Sequence, residues 1–113
     1  MKLWIDDVRP APEGYDHEWS VDGAIRAIEA YERDVAYCKE NGIINPFLNS
    51  LLIDIDHDAG DYAQYGGDYI EILNWLEETG RNYPIHIHSM NPVGVENMRR
   101  IIQRNGWTEI KDI

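Results

Sequence analysis

The chain has 113 residues, of which 21 are Asp or Glu and 10 are Lys or Arg, so its formal charge is −11 at pH 7. This length fits one domain and leaves no room for a second, and a hydrophobic content of 43% predicts a folded core rather than disorder. The acidic balance disfavours binding to the backbone of duplex DNA, which depends on basic side chains, but admits a small phosphorylated ligand at a local site.

The first third of the chain predicts two strands and a long helix. Residues 2–5 form a short apolar run, and residues 15–19 form a weaker strand candidate after the turn-rich stretch 10–14. Ser20 is the expected helix N-cap, because its hydroxyl can accept from backbone N–H groups of the first turn, and Gly42 is the expected stop. Apolar residues recur at helical spacing between them, at Val21, Ile25, Ile28, Tyr31, Val35 and Cys38.

The next element is a buried strand over residues 51–56, followed by a glycine-bearing loop and a second helix. Asp68 is the expected cap of this helix, and Gly80 is its expected end. Its inward positions are Tyr69, Ile72, Leu73 and Leu76.

A third apolar run, residues 85–88, predicts another buried strand. Asn91 then offers a cap with Pro92 at the first helical position, and Gly106 closes this last helix. Its apolar positions are Val95, Met98, Ile101 and Ile102. The tail, residues 107–113, would add a short edge strand. Strands that alternate with amphipathic helices are typical of an α/β fold with a mostly parallel sheet and helices on both faces.

Ionisable and polar residues follow three of these strands at the point where each strand ends. In open α/β sheets ligands bind beyond the carboxyl ends of the strands, so we expect these side chains to share one rim. They are Asp6, Asp7 and Arg9, then Asp56, His57 and Asp58, and finally His88, Ser89 and Asn91.

Carboxylates dominate this set. Asp6 and Asp7 are adjacent and repel each other, so a site that holds them close needs a cation or raises one pKa. Asp56 and Asp58 offer further oxygen ligands for a hard ion such as Mg²⁺, and nearby imidazoles would also admit Mn²⁺ or Zn²⁺. The ordinary alternative is that these aspartates only end strands and open loops.

The histidines alternate in the same way as two of the acids. His86 and His88 are two residues apart and share one face of their strand, as do Asp54 and Asp56 on the central strand. If the strands are neighbours, Asp54 lies near His86 and Asp56 near His88, either as structural pairs or as carboxylates that fix a tautomer. His57 and His88, at the rim, are candidates for proton transfer.

Other rim residues suit an anion. Arg9 can bind a phosphate through two parallel hydrogen bonds or can neutralise the neighbouring carboxylates. Ser89 and Asn91, with the N–H groups of the helix that follows, form a candidate anion cradle, although Asn91 could equally serve only as the cap. The loop before the second helix lacks the Gly-Lys-Ser/Thr of the phosphate-binding loop found in nucleoside triphosphate hydrolases. Its Tyr62 and Tyr65 are candidates for stacking on a base.

The compartment can also be predicted. Cys38 is the one cysteine of the sequence, so no internal disulfide can form and a reducing cytosol suits the chain. No apolar stretch approaches the roughly 20 residues that span a bilayer, and no signal peptide precedes the first strand. We therefore expect a cytoplasmic protein with no membrane partner, and its oligomeric state is left open.

The residues at the strand ends resemble the receiver domain of two-component signalling, with an acidic pair after strand one, an Asp after strand three and a Ser after strand four. The closer resemblance is to a divergent branch, the cyclic-phosphate processing receiver-like domain, and it extends over nearly the whole chain. The segments that carry it are Leu3-Trp4-Ile5-Asp6-Asp7-Val8-Arg9-Pro10, Asp56-His57-Asp58 followed by a glycine, and His88-Ser89 with Asn91-Pro92 and Gly94. The resemblance implies one receiver-like domain over residues 1–113, a flavodoxin-like three-layer sandwich with strand order 2-1-3-4.

Strand-end clustering and the resemblance together predict metal-dependent hydrolysis, or sensing, of a cyclic phosphate on a nucleotide or an RNA end. Asp6, Asp7 and Asp56 would hold a divalent cation, with Mg²⁺ or Mn²⁺ expected before Zn²⁺. The remaining assignments divide into a catalytic group and a substrate-binding group. The first comprises His57, His88 and Asp58, and the second comprises Arg9, Ser89 and Asn91.

Two alternatives stay open. One is a signalling receiver that accepts a phosphoryl group on Asp56, although the added histidines depart from that pattern and Lys111 is the sole candidate for the receiver lysine. The other is a non-catalytic module whose acidic surface engages a basic partner. A small chain without an effector domain in the sequence would suit a phage context.

Overall fold

The computed structural model describes residues 1–112, in which four strands and three helices alternate along the chain. The strands are β1 (Lys2–Ile5), β2 (Asp16–Glu18), β3 (Leu52–Ile55) and β4 (Ile85–Ile87). The helices are α1 (Val21–Glu40), α2 (Ile70–Glu78) and α3 (Pro92–Asn105). Two 3₁₀ segments, Pro46–Leu48 and Gly60–Gln64, lie in the loops before and after β3.

The four strands form one parallel sheet in the order β2-β1-β3-β4. The α/β class and this strand order confirm the prediction. The expected edge strand of the tail is reduced to one parallel bridge between Ile85 and Glu109, supported by a hydrogen bond from the Ile110 N–H to the Ile85 carbonyl. The last residue of that tail, Ile113, lies outside the described residues.

All three helices cover the same face of the sheet. Helix α1 packs against α2, and α2 packs against α3. The crossovers from β2 to β3 and from β3 to β4 move across the sheet in one direction, and right-handed crossovers then place their helices on one face. The buried residues of these helices share one core with the strands, for example Leu3, Ile28, Ile53, Leu73 and Met98.

The second face of the sheet therefore has no helical layer within residues 1–112, which corrects the expectation of a three-layer sandwich. The physical reason is the connection from β1 to β2. Residues 10–14 form a short turn-rich link where a further helix would be needed to cover that face. Trp4, Asp54 and His86 are aligned across the strands on this second face.

Two of the predicted helix caps are present and one is replaced. The Ser20 hydroxyl accepts from the Gly23 N–H, and the Asn91 side-chain oxygen accepts from the Gly94 N–H, each at 3.0 Å. Asp68 does not cap α2. Its carboxylate accepts from the N–H of the buried Ala59 at 3.1 Å, because that amide needs an acceptor in the loop.

Candidate active site

The carboxylates of Asp6, Asp7 and Asp56 meet at the carboxyl ends of the neighbouring strands β1 and β3. One oxygen of each lies within 4.8 Å of the others, and we call these three side chains the acid cluster. Asp6 and Asp56 are buried, whereas Asp7 is partly exposed. The structure thus brings together the three residues that the sequence assigns to a cation.

The first two carboxylates of the cluster have opposite electrostatic environments. Burial raises the pKa of Asp6, but backbone hydrogen bonds from Arg9 and Val8, both at 2.9 Å to Oδ1, and a contact with His88 outweigh burial and hold that pKa below its usual value. Burial raises the pKa of Asp7, and the negative charges of Asp6 and Asp56 raise it further. The cluster therefore holds more negative charge than its surroundings neutralise.

Gly60 lets the loop after β3 lie directly against Asp7. Its φ is +55°, a left-handed conformation that favours glycine, and a Cβ at this position would collide with the Asp7 carboxylate. The 3₁₀ segment Gly60–Gln64 consequently forms one wall of the acid cluster.

His88 lies between two carboxylates and against an indole ring. Its Nδ1 is 2.6 Å from Asp54 Oδ1, and its Nε2 is 2.9 Å from Asp6 Oδ2. The Trp4 ring stacks on the imidazole, with centroids 3.7 Å apart and planes within 2° of parallel. The expected pairing of Asp56 with His88 is therefore wrong: β3 ends at Ile55, so strand alternation no longer directs the Asp56 side chain.

Asp54 is the shared partner of both strand histidines. Its Oδ1 lies 2.8 Å from His86 Nδ1 as well as 2.6 Å from His88 Nδ1, so the predicted contact with His86 is confirmed. Asp54 is buried, and its contacts with the two ring nitrogens satisfy a carboxylate oxygen that would otherwise be costly to bury. Burial raises the pKa of the Tyr15 hydroxyl, and the nearby Asp54 carboxylate raises it further.

His57 and Asp58 form a separate pair beside the acid cluster. His57 Nδ1 is 2.9 Å from Asp58 Oδ1, and this hydrogen bond lowers the pKa of Asp58. The His57 ring packs against Gly94 of α3, where any side chain would collide with it. The His57 backbone N–H donates to Asp56 Oδ1 at 2.8 Å, so the pair is fixed directly to the acid cluster.

The predicted substrate-binding residues lie on two loops, Arg9 after β1 and Ser89 and Asn91 after β4. Arg9 donates from Nη1 to the His88 carbonyl at 2.9 Å and lies 3.8 Å from Asp6 Oδ2. The Ser89 hydroxyl oxygen accepts from the Asn91 N–H at 3.1 Å. Asn91 uses its side-chain oxygen as the cap of α3, while its amide nitrogen lies 3.4 Å from Asp58 Oδ2.

Comparison with protein-family models identifies the domain. The model described as the cyclic-phosphate processing receiver domain matches residues 1–104. The chain belongs to this family. Searches of curated proteins and of solved structures found no match.

In this cyclic-phosphate processing receiver domain, two residues contribute to the site that the sequence did not point to. Trp4 reads as an ordinary strand residue, yet its ring covers His88. The spacing of His17 in the sequence indicates no role at the strand ends. In the structure its Nε2 lies 2.8 Å from the Asp6 carbonyl oxygen, to which the ring donates a hydrogen bond. The strand register, which pairs Trp4 with both His17 and Asp54, is the signal that connects them, and the sequence alone does not supply it.

The acid cluster of this receiver domain does not line the cavity formed near the opposite ends of the strands. That cavity, of about 800 Å³, lies between the start of β1, β2, α1 and the first 3₁₀ segment, and its lining includes Lys2, Tyr31 and Phe47 but none of the acid cluster. A ligand at the cluster would therefore approach from solvent across the strand ends. Of the helices in residues 1–112, none is long and apolar enough to cross a membrane.

Proposed function

We propose that this receiver domain hydrolyses a cyclic phosphate on a nucleotide or an RNA end, with a divalent cation at the acid cluster. The observation that carries the proposal is the approach of three carboxylate oxygens to within 4.8 Å of one another at the strand ends. Within residues 1–112, neither Asp7 nor Asp56 has a cationic side chain within ion-pair distance, and the Arg9 guanidinium is 3.8 Å from Asp6. A cation would supply the missing positive charge.

The donor set fits a hard ion. Three carboxylates and solvent are the oxygen ligands that Mg²⁺ and Mn²⁺ prefer, whereas Zn²⁺ favours nitrogen and sulfur. Such a cation, when bound, would polarise the phosphate as a Lewis acid. Asp6, whose carboxylate is held by two backbone N–H groups and by His88, would be the most rigid of the three ligands.

His57 is the residue that we assign to proton transfer. Hydrolysis adds water to phosphorus and breaks one ring P–O bond, so the attacking water loses a proton and the departing ring oxygen gains one. Asp58 engages His57 Nδ1, which leaves Nε2 without a hydrogen-bond partner in the described part of the chain. A ring oriented in this way by a carboxylate is suited to general acid–base chemistry near neutral pH.

His88 has a different part in the proposal. Both of its ring nitrogens already face carboxylates, and Trp4 covers one side of the ring. It therefore positions Asp6 and leaves proton transfer to His57.

Arg9 and Ser89 would bind the phosphate oxygens. The Arg9 side chain is partly exposed and uses one N–H on the His88 carbonyl, so its other donors are available to an anion. Because the Ser89 oxygen accepts from the Asn91 N–H, its hydroxyl proton is free to be donated.

The test is hydrolysis of adenosine 2′,3′-cyclic phosphate, adenosine 3′,5′-cyclic phosphate and an RNA that ends in a 2′,3′-cyclic phosphate. We expect turnover with Mg²⁺ or Mn²⁺, loss of turnover after chelation and recovery when the metal is returned. His57→Gln should lower kcat by about 10²–10⁴-fold, the range of a positioned acid or base. Asp7→Asn should lower turnover as well, because it removes one carboxylate ligand of the cation. Asp34→Asn, which removes an equal charge from the exposed side of α1, should leave kcat unchanged. The proposal would be overturned if neither the chelator nor Asp7→Asn changed the turnover rate. It would also be overturned if the folded protein hydrolysed none of these substrates.

A signalling role is the second candidate, because Asp56 lies with Asp6 and Asp7 as a phospho-accepting aspartate would. Lys111, however, makes no hydrogen bond or ion pair with the acid cluster in residues 1–112, so the usual lysine contact is missing. Incubation with a small phosphodonor followed by mass spectrometry distinguishes the two candidates. A phosphoryl group retained on Asp56 favours signalling, and an unchanged mass removes that candidate.

A further inference from the structure

Three aromatic side chains remain exposed on the loops around the acid cluster. Trp19 is 43% exposed, Tyr62 37% and Tyr65 51%. The 3₁₀ segment that carries Tyr62 has no buried residue, so core packing does not account for its aromatic side chain. Exposed aromatic rings beside a candidate catalytic centre need another explanation.

The backbone that carries the two tyrosines lies against the acid cluster. The segment that begins at Gly60 lies against Asp7, and Tyr62 follows two residues later. The rings of Tyr62 and Tyr65 are 6.5 Å apart at a tilt of 45°. The two loops are joined because the Tyr65 carbonyl accepts from the Asp22 N–H at 3.1 Å.

Trp19 is fixed to the same region from two directions. Its carbonyl accepts from the hydroxyl of the buried Tyr69 at 2.7 Å. Its ring stacks on His17, with centroids 4.0 Å apart, and His17 in turn donates to the Asp6 carbonyl. Trp19 and the tyrosine-bearing segment therefore meet the part of the chain between β2 and α1, whereas Arg9 contacts the end of β4 through the His88 carbonyl.

The charge of the molecule limits which parts of a nucleotide these rings can bind. A formal charge of −11 disfavours binding of the phosphate backbone of a long RNA, because such binding depends on an excess of basic side chains. Stacking of a base on an aromatic ring does not depend on positive charge. One base beside one phosphate is thus the part of a nucleic acid that this surface can accept.

We propose that Tyr62 and Tyr65, with Trp19, form a subsite for a single nucleobase beside the acid cluster, so that the preferred substrate is a free cyclic nucleotide and not the end of a long RNA. This inference rests on the proposed function and specifies its substrate. The phosphate lies at the acid cluster, and the base of the same nucleotide stacks on the tyrosines.

The kinetic test compares three substrates: adenosine 2′,3′-cyclic phosphate, the 2,3-cyclic phosphate of methyl riboside, which has no base, and a ten-nucleotide RNA with a 2′,3′-cyclic end. The double variant Tyr62→Ala/Tyr65→Ala should raise KM for the adenosine substrate by roughly 10–100-fold, the effect of losing aromatic stacking on one base. It should leave KM for the base-free substrate unchanged. Tyr62→Phe/Tyr65→Phe keeps both rings and should behave as the wild type, and Tyr37→Ala, an exposed tyrosine of α1, is the matched control.

A binding measurement keeps this inference separable from the proposed hydrolysis. If none of the substrates is turned over, the proposed function fails, but adenosine 2′-monophosphate can still be titrated while the ring signals of the three aromatic residues are followed by NMR. Shifts confined to those rings, lost in Tyr62→Ala/Tyr65→Ala, support the subsite. An equal affinity of wild type and double variant, or a lower KM for the ten-nucleotide RNA than for the free nucleotide, would overturn it.

Discussion

At the scale of single residues, the most constrained group of the site is the chain of contacts from Asp54 through His88 to Asp6. Each ring nitrogen of His88 faces a carboxylate, and the Trp4 indole prevents the imidazole from tilting. Outer carboxylates that hold a histidine in this way commonly orient the ligand beyond it. Asp54 can therefore influence the acid cluster without contacting a substrate.

We expect Asp54→Asn to weaken binding of the cation at the acid cluster by about tenfold, which is within the usual effect of removing such an outer carboxylate. The asparagine keeps the size of the side chain but cannot accept from both His86 and His88 with the strength of a charged group. Calorimetric titration with Mn²⁺ measures the effect, and Asp34→Asn provides the charge control. An unchanged Kd in Asp54→Asn would show that the contact chain does not position Asp6.

Gly94 offers a second test at the residue scale, because its Cα lies against the ring of His57. A Cβ here would collide with the imidazole, so Gly94→Ala should displace His57 and lower kcat by about tenfold or more. Stability should change little, since alanine favours the helix by up to about 1 kcal/mol and offsets part of the steric cost. Gly23→Ala is the matched control: it is also helical, and its Cβ would meet the Glu18 carboxylate and the Ser20 hydroxyl, neither of which belongs to the proposed site. Equal activity of the two variants would contradict the role assigned to His57.

At the scale of secondary-structure elements, α1 is tied to the loop before β4 by one charged side-chain group. Arg81 donates to the Glu32 carboxylate from Nε at 2.9 Å and from Nη2 at 2.9 Å, and the Tyr83 hydroxyl donates to the same carboxylate. The Arg81 guanidinium also lies over the Trp75 ring, 4.2 Å from its centroid. The hydrogen bond from Arg81 is the largest cause of a lowered pKa at Glu32.

This lowered pKa predicts how stability depends on pH. A carboxyl group whose pKa is lower in the folded state stabilises the fold above its unfolded pKa, about 4.3, and this contribution is lost as pH falls through the folded value. Glu32→Gln should therefore cost about 1 kcal/mol at pH 7 and less near pH 3. Urea unfolding at both pH values measures the difference. A cost that stays constant with pH would mean that Glu32 acts through packing and not through charge.

The same scale shows what the sequence can predict and what it cannot. Apolar periodicity and capping residues such as Ser20 and Asn91 predict the helices, because helix formation depends on neighbours along the chain. The Asp68 carboxylate accepts from the Ala59 N–H, and His88 contacts Asp54 and Asp6. These contacts depend on which groups meet after folding, and the spacing of residues along the sequence does not determine them. The acid cluster was predictable because strand ends of a parallel sheet converge, whereas the contacts of Trp4 required the strand register.

At the scale of the whole molecule, the uncovered face of the sheet and the acidic charge act together on the site. Trp4, Asp54 and His86 lie on the face that lacks a helical layer, so side chains rather than a helix shield the contacts behind the acid cluster. Repulsion among acidic groups lowers the stability of a strongly charged fold. Any cation should therefore stabilise the molecule, and the question is whether one site contributes more than general screening.

Mg²⁺ should raise the melting temperature more than NaCl at equal ionic strength. Salt screens all surface charges alike, whereas an ion bound only by the folded state adds RT ln(1 + [L]/Kd), about 1.4 kcal/mol at ten times its Kd. For a domain of this size that corresponds to a shift of about 5 °C. Asp7→Asn removes one carboxylate of the acid cluster and some of its repulsion, so it should melt higher than the wild type without metal yet lose the additional shift caused by Mg²⁺. Asp34→Asn makes the same change in net charge and should keep the additional shift caused by Mg²⁺. If both variants lost that shift, the Mg²⁺ effect would be due to surface charge and not to the acid cluster.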